Sequence, residues 1–432
     1  MGESLAERYA ASVAYLARAE AVIPLGSQTF SKSRTQYPVG AAPLFVARSH
    51  GSHTWDIDGN EYIDLVSSLG AVALGYGDEE ITEAVTRRLR DGVTLSLATP
   101  IEAEVAERIV DLVPCAEMVR FGKNGTDATS AAIRLARAHT GRDHVIVCGY
   151  HGWQDWYIGS TTRDLGVPAA VKGLTHKVPY NDVEAILATV EGLAGNVAAL
   201  IMEPMTSVWP LEGYLEAVRA LTSERGIVLV FDEMLTGFRF APGGAQEYFG
   251  VTPDLASFGK ALANGFPLSA ITGRADIMGR MEDIFFSGTF GGETLSLTAA
   301  RVVLDRMATG VPTTQIAEIG TTLGDRVTEL IAELGASFLS LSGHPSWLFM
   351  NWAIDSPDVL ARAKTLFLQE ALREGILVLN THEVTTAHTA ADVDQVIAGY
   401  RHALTQVRDA LVAGDWAERL ECAPIYPLFT VR

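Results

Sequence analysis

A single lysine, Lys260, stands where an apolar run meets a turn, and this position suggests chemistry. The run Leu255–Phe258 precedes it, and small residues and a Gly-Phe-Pro turn follow it. Burial of an ammonium group at the end of a strand is costly and lowers the pKa of a lysine. That cost has a use if the neutral amine attacks a carbonyl, as in Schiff-base chemistry. The stretch alone leaves open the alternative that the side chain extends from the strand end into water.

Four further apolar runs also end in residues that could do chemistry. They are 119–121 before Asn124, Gly125 and Thr126; 145–149 before Tyr150 and His151; 198–202 before Glu203; and 227–231 before Asp232. In an open parallel sheet, ligands bind at the carboxyl ends of the strands. We therefore expect these side chains and Lys260 to meet at one edge of a sheet.

Each of these residues also has an ordinary structural explanation. Gly125 and Thr126 could belong to a simple helix cap, or they could hold a phosphate at the helix N-terminus. Asp232 could form a salt bridge, or it could keep a pyridine nitrogen protonated. Tyr150 could pack at the edge of the core or stack on a planar cofactor. Together with Lys260, the functional alternatives describe a site for pyridoxal 5'-phosphate (PLP), and this combination is far more specific than any single member.

The composition of the chain limits its class and location. The 432 residues carry a formal net charge of -19, which argues against binding to nucleic acid or to anionic membranes. Its three cysteines, Cys115, Cys148 and Cys422, are too scattered for a disulfide framework or a zinc site. We therefore predict no metal centre and a reducing compartment. The first residues lack a secretory signal and no apolar run is long enough to span a bilayer, which predicts a cytoplasmic protein with small-molecule partners.

Alternating helices and short apolar strands must position the candidate residues. The pattern predicts strands at 117–121, 144–149, 197–202, 226–231, 255–258 and 268–272, and helices at 78–91, 101–113, 126–139, 181–192, 213–225, 294–309 and 313–334. This alternation indicates an α/β fold with a mostly parallel sheet buried on both faces.

A second, smaller α+β unit is predicted from the two ends of the chain. An amphipathic helix at 4–21 and an antiparallel meander at 43–66 come first, and strands at 344–354, 375–379 and 382–386 with helices at 356–373 and 390–412 come last. We place residues 1–75 with the small domain, 76–310 in the large cofactor-binding domain and 311–432 in the C-terminal small domain.

Four long motifs of this sequence resemble those of one family. They are Trp-Asp-Ile-Asp-Gly-Asn-Glu-Tyr-Ile-Asp at 55–64, Phe-Asp-Glu-Met-Leu-Thr-Gly-Phe-Arg at 231–239, the run from Gly243 to Leu255, and Ser-Gly-Thr-Phe-Gly-Gly at 287–292. The chain resembles the class III, fold-type I PLP aminotransferases over nearly all of its length. Within them it is similar to the glutamate-1-semialdehyde aminomutase-like group, including amino-sugar and aminoglycoside biosynthetic members. The resemblance implies a seven-stranded, mostly parallel sheet in the large domain.

The resemblance also implies a role for each candidate residue. It implies that Lys260 bonds the aldehyde of PLP and later moves a proton, and that Asp232 pairs with the pyridine nitrogen. Around the ring, it places Met234 below, Tyr150 stacked above and His151 beside Tyr150. It further implies that the phosphate is held by Asn124, Gly125 and Thr126, and that Glu203 lies near the substrate and the cofactor hydroxyl. In the family, the residue matching Thr289 reaches the phosphate of the neighbouring subunit. The resemblance therefore implies a homodimer, with Lys260, Asp232 and Tyr150 as catalytic residues.

Three departures from the family pattern bear on the substrate. Lys32 stands where the aminomutase has an arginine that grips a carboxylate, and a lysine cannot make that bidentate contact. The segment Trp153–Arg163 replaces a glycine-rich gating loop, and its aromatic residues would suit a sugar or would pack a dimer interface. Glu293 is an acid near the entrance where an asparagine is common. Lys32, Trp153, Glu203 and Glu293 are thus the candidate substrate contacts.

These observations support one main function and two alternatives. The main hypothesis is a ping-pong aminotransferase that acts on a carbonyl carbon of a sugar-like or aminoglycoside-type substrate, in antibiotic biosynthesis, with epimerisation at that carbon as a further outcome. The alternative enzyme is glutamate-1-semialdehyde 2,1-aminomutase of tetrapyrrole biosynthesis. A non-catalytic PLP-binding regulator would need a DNA-binding module, and residues 1–30 are too short for one.

Overall fold

The computed structural model describes residues 4–426 of the chain. The described residues form two compact units. One unit comprises the described residues up to Asp78 together with those from Gln315 to residue 426, and the other comprises Glu79–Thr314. Among the described residues, none of the helices is both long and apolar enough to cross a membrane.

The strands are numbered in chain order. They are β1 (Val46–His50), β2 (His53–Asp56), β3 (Glu61–Asp64), β4 (Met118–Gly122), β5 (His144–Cys148), β6 (Thr175–Lys177), β7 (Val197–Met202), β8 (Val228–Asp232), β9 (Leu255–Phe258), β10 (Ser269–Gly273), β11 (Leu339–His344), β12 (Trp347–Trp352), β13 (Ile376–Leu377) and β14 (Thr381–His382).

The right-handed α-helices lie between these strands and at the two ends of the described chain. They span Leu5–Arg8, Ala10–Glu20, Glu79–Leu89, Pro100–Leu112, Gly125–Thr140, Asp155–Ile158, Ala169–Lys172, Val183–Gly192, Tyr214–Arg225, Ala245–Phe249, Ala275–Met278, Thr294–Met307, Val311–Leu334, Pro357–Arg373, Ala390–Ala413 and Trp416–Arg419.

The unit Glu79–Thr314 is built on a seven-stranded sheet with the order β4-β10-β9-β8-β7-β5-β6. Strands β6, β5, β7, β8 and β9 are parallel, and β10 runs antiparallel to both β9 and β4. The predicted mostly parallel α/β sheet is therefore confirmed. Strand β6 was not predicted, because three residues are too few to show an apolar pattern.

Small side chains let the helix Gly125–Thr140 lie close to this sheet. Its buried face is rich in alanine, with Ala128, Ala131, Ala132 and Ala136 packed into one apolar core with residues of β5, β7 and β8. Every residue of β7 and β8 is buried, as expected for central strands covered on both faces. The close packing fixes the N-terminus of this helix beside the strand ends.

The other unit joins the two ends of the chain in one sheet. Strands β1, β2 and β3 form the predicted antiparallel meander, and β13 adds to β3 in parallel, with Ile376 opposite Ile63. The predicted strand at 344–354 is confirmed as β12, although it starts later, at Trp347, after a turn at Pro345, which cannot donate a ladder hydrogen bond. Strand β11, which pairs with β12 as a hairpin, was not predicted.

Candidate active site

The candidate residues of the unit Glu79–Thr314 lie at the carboxyl ends of its parallel strands. Asp232 is the last residue of β8, Glu203 directly follows β7, and Tyr150 and His151 follow β5. Lys260 follows β9 by two positions and starts a short 3₁₀ turn. Because these strands are neighbours in the sheet, the structure brings the predicted strand-end residues to one edge.

Asp232 is a buried carboxylate with three protein partners. It is 3% exposed, and its Oδ2 lies 2.8 Å from Nδ1 of His151. Its Oδ1 accepts hydrogen bonds from the backbone N–H of Met234 (3.1 Å) and from the hydroxyl of Ser257 (3.3 Å). Since a carboxylate can only accept, Nδ1 of His151 carries the proton of this contact. The carboxylate is thus held in one orientation at the edge of the sheet.

The N-terminus of the helix Gly125–Thr140 carries an unused polar group. Asp127 accepts hydrogen bonds from the backbone N–H groups of Asn124 (2.8 Å) and Lys123 (3.0 Å). The hydroxyl of Thr126 is buried and has no hydrogen-bond partner among residues 4–426. Thr126 therefore does not serve as the cap here, and its hydroxyl and the helix N-terminus fit a phosphate group.

Three positions at this edge require glycine because neighbouring side chains leave no room for a Cβ atom. A Cβ on Gly125 would lie 2.8 Å from Sδ of Met234, and a Cβ on Gly259 would lie 2.8 Å from the same sulfur. A Cβ on Gly152 would lie 2.6 Å from the Thr126 hydroxyl oxygen. Met234 therefore lies between the helix N-terminus and the turn that carries Lys260. We call the surface formed by Thr126 and these three glycines the glycine cradle.

Lys260 has a strained backbone. Its φ is +48°, in the left-handed region, where a side chain other than glycine costs roughly 1–2 kcal/mol. Such strain persists only where the surrounding structure imposes it, and it is typical of functional sites. The half-buried lysine is thereby fixed at a position that its own conformational preference does not favour.

Glu203 and Tyr150 form one connected group. Glu203 is 5% exposed, and its Oε2 accepts a hydrogen bond from the backbone N–H of Tyr150 at 3.0 Å. The ring of Tyr150 meets Tyr157 edge to face, with 5.7 Å between ring centroids, and the Tyr157 hydroxyl donates to the carbonyl of Gly149. These contacts set the path of the chain where it leaves β5.

Glu293 is occupied as a helix cap. Its carboxylate accepts hydrogen bonds from the backbone N–H of Leu295 (2.6 Å) and the Ser296 hydroxyl (2.6 Å), and it pairs with Lys123 (3.0 Å). Burial acts to raise the pKa of Glu293, but the hydrogen bonds from Ser296, Lys123 and Leu295 prevail and lower it. Its carboxylate is thus engaged within its own chain, and contact with substrate stays a prediction. The ion pair with Lys123 was not foreseen, because no local spacing signals it.

Two other predicted residues lie on the surface of this unit. Thr289 is in the exposed stretch 287–290 of its own chain, next to the exposed ring of Phe290. Trp153 is 65% exposed. Neither belongs to the buried group around Asp232.

Lys32 belongs to the other unit, where it lines a cavity of about 360 Å³. Its Nζ donates to the hydroxyl of Ser68 at 3.2 Å. Tyr37 lines the same cavity and is 9% exposed. Burial raises the pKa of Tyr37 above its ordinary range, so this hydroxyl stays protonated and can donate to a ligand. No local pattern of residues signals a site residue at Tyr37.

A left-handed turn presents Ser68 to this cavity. Ser67, Ser68 and Leu69 have φ values of 45°, 54° and 61°, three successive residues in the left-handed region. Asp64 holds the turn, because its Oδ1 accepts hydrogen bonds from the backbone N–H groups of Val66 (2.8 Å) and Ser67 (2.9 Å). Sequence reasoning missed this turn, since serine and leucine rarely adopt such a conformation.

Known proteins are similar to this chain over most of its length. A glutamate-1-semialdehyde 2,1-aminomutase from Syntrophobacter fumaroxidans is 33% identical over 413 residues, covering 88% of this chain and 94% of that protein. A 3-aminobutyryl-CoA aminotransferase from Cloacimonas acidaminovorans is 30% identical over 421 residues, covering 95% of this chain and 100% of that protein. The PLP-bound FumI protein of Sphingopyxis sp. MTA144 has a similar structure, with a TM-score of 0.86, 28% identity and coverage of 93% and 97% of the two chains.

The family follows from a match over most of the chain. A model of the family described as aminotransferase class-III matches residues 36–392. The similar solved structure contains PLP, and the buried Thr126 hydroxyl and the glycine cradle fit that cofactor. This chain, whose cofactor is pyridoxal 5'-phosphate, therefore belongs to the class-III aminotransferase family of fold-type I enzymes.

Proposed function

We propose that this protein moves an amino group to or from a carbonyl carbon of a small molecule, with Lys260, Asp232 and Thr126 as the residues that hold and use PLP. One observation carries the proposal. Met234 contacts Asp232 through its backbone N–H, and its sulfur lies between Gly125 and Gly259, which flank Thr126 and Lys260. The residues for the ring nitrogen, the phosphate and the aldehyde are thus grouped around one side chain.

Each residue contributes a separate physical step. Bound PLP supplies an electron-withdrawing ring that stabilises negative charge at the substrate carbon after proton removal. Asp232 would keep the ring nitrogen protonated, and Thr126 with the helix N-terminus would bind the phosphate. Nζ of Lys260 would hold the cofactor through its aldehyde with loss of water, and once the substrate amine has displaced it, the free amine would take and return the proton at the substrate carbon. Tyr150 would cover one face of the ring, and Glu203 would orient the substrate.

For the substrate, we rank glutamate-1-semialdehyde 2,1-aminomutase activity first. A relative with that name is 33% identical to this chain over nearly its whole length. The sugar-like or aminoglycoside-type substrate has no counterpart among these relatives. It keeps second place because Lys32, rather than an arginine, lines the cavity with Tyr37 and Ser68, and an ammonium with two hydroxyls suits a polyhydroxylated ligand.

We also propose that the active unit is a homodimer in the cytoplasm. Thr289 and Phe290 are exposed in the single chain, although their motif resembles a phosphate-binding segment of the family. A second subunit that places Thr289 on the phosphate would explain both facts.

The phosphate cradle can be tested with two glycines of similar backbone conformation. Gly152→Ala places a methyl group 2.6 Å from the Thr126 hydroxyl oxygen at φ +105°, whereas Gly166→Ala has the same kind of strain at φ +90° with nothing within 4 Å. We expect Gly152→Ala to weaken PLP binding by about tenfold or more, because overpacking costs roughly 1–3 kcal/mol. Titration of the apoprotein with PLP measures this. Equal affinities of the two variants would remove Thr126 from the cradle.

The choice between the two substrates depends on the amino donor. We expect purified, PLP-loaded protein to convert glutamate 1-semialdehyde into 5-aminolevulinate over many turnovers without any added donor, since a mutase returns the amino group to the same molecule. Product analysis measures this, with Lys260→Ala as the inactive control. No product without a donor, together with donor-dependent amination of a keto sugar, would replace the aminomutase by the second candidate.

Contribution of Thr289 from a second subunit predicts complementation between two inactive variants. Lys260→Ala lacks the nucleophile, and Thr289→Glu sets a negative charge against the phosphate. After random subunit exchange, half of the dimers are mixed and each has one intact site, so we expect about a quarter of wild-type activity. Activity assays of the mixture against each parent measure this. If the mixture stays inactive while mixed dimers are shown by mass, Thr289 does not act across the interface.

A further inference from the structure

The second tryptophan of the segment Trp153–Arg163 contacts the helix that forms part of the candidate site. Trp156 lies in the single helical turn Asp155–Ile158 and is half-buried. Its indole N–H donates to the hydroxyl of Ser130 at 2.9 Å. Ser130 is part of the helix Gly125–Thr140, whose first turn carries Thr126. Trp156 is thus anchored to the same helix that forms the phosphate cradle.

The ring of Trp156 lies nearly parallel to the ring of His151. The ring centroids are 6.5 Å apart and the planes differ by 12°. Tyr157 meets His151 edge to face at 5.3 Å and Trp156 at 5.8 Å, so the three rings form one aromatic group. His151 is 1% exposed, and aromatic rings cover it where water could otherwise enter.

Hydrogen bonds alone do not determine the orientation of the His151 ring. Its Nδ1 contacts Asp232 at 2.8 Å, but its buried Nε2 has no hydrogen-bond partner among the described residues. The Thr129 hydroxyl donates to the backbone carbonyls of His151 (2.9 Å) and Thr126 (3.4 Å), and not to the imidazole ring. With one side of the ring unpaired, packing against the neighbouring rings must hold the plane that keeps Nδ1 on the carboxylate.

We propose that Trp156 is a positioning residue for the cofactor, which acts through His151 on Asp232. Anchored by Ser130, its indole ring holds the imidazole so that Nδ1–H stays on the Asp232 carboxylate. The carboxylate then keeps the orientation that the pyridine nitrogen of PLP requires. This inference rests on the proposed role of Asp232, and it gives the segment Trp153–Arg163 a function other than contact with a sugar.

Two readouts on the full-length protein test this without an activity assay. One is the dissociation constant of PLP, measured by titration of the apoprotein. The other is the ¹⁵N NMR signal of bound PLP labelled at its ring nitrogen, which reports protonation of that nitrogen and is not moved by a simple loss of stability. For Trp156→Leu we expect PLP affinity to fall about tenfold, comparable with loss of one charge-assisted hydrogen bond, and the ¹⁵N signal to move toward the unprotonated value.

A double-substitution cycle separates action through His151 from general packing. If Trp156 acts through His151, Trp156→Leu adds nothing to the effect of His151→Phe on either readout. Additive effects of the two substitutions, or an unchanged ¹⁵N signal in Trp156→Leu, would overturn the proposal. Trp209→Leu is the matched control, because Trp209 packs on Tyr248 and Phe249 and has no ring contact with His151.

Two further variants keep the outcome decisive. Trp156→Phe retains an aromatic face without the bond to Ser130, and it serves if Trp156→Leu does not fold. If Trp156→Phe moves the ¹⁵N signal less than Trp156→Leu does, the proposal is supported. If Trp156→Leu does not fold, the comparison is made with His151→Phe instead. An unmoved ¹⁵N signal in Trp156→Phe opposes the proposal. Asp232→Asn tests the underlying role. If Asp232→Asn leaves both readouts unchanged, the proposed function of Asp232 fails; if only the Trp156 variants leave them unchanged, this inference alone fails.

Discussion

Burial of the Asp232 carboxylate, away from water, is the constraint on which the rest of the site depends. Asp232 is 3% exposed, and a buried charge without partners costs on the order of several kcal/mol. The structure offsets this cost with His151, the backbone N–H of Met234 and the Ser257 hydroxyl. These partners come from the chain after β5, from the chain after β8 and from β9, so the strand order of the sheet is what makes the site possible.

Close approach and backbone strain are the other costs of this arrangement. The sulfur of Met234 leaves no room for a Cβ at Gly125 or Gly259, and Lys260 adopts a left-handed conformation that few residues favour. Such features reduce stability and are retained where geometry matters for function. They occur together around one side chain at the carboxyl edge of the sheet. Stability and site geometry are therefore linked through the same few residues.

The sequence predicts those parts of this protein that follow from the pattern of apolar residues and from the positions where strands end. Apolar runs locate β5, β7, β8 and β9, and the rule for parallel sheets then places Tyr150, Glu203, Asp232 and Lys260 at one edge. It does not predict contacts between residues far apart in the chain. The pairing of Lys123 with Glu293 and the stacking of Trp156 on His151 depend on packing between elements. The left-handed turn at Ser67–Gly70 opposes local preference, so no propensity argument finds it.

Everything proposed for this site requires that Lys260 is the residue that bonds PLP. Reduction of the loaded protein with borohydride, followed by peptide mapping, identifies the bonded lysine. We expect one pyridoxyl group per chain, on the peptide that contains Lys260, with the peptide of Lys123 unlabelled. A label on another lysine, or no label on protein that retains PLP, would contradict it.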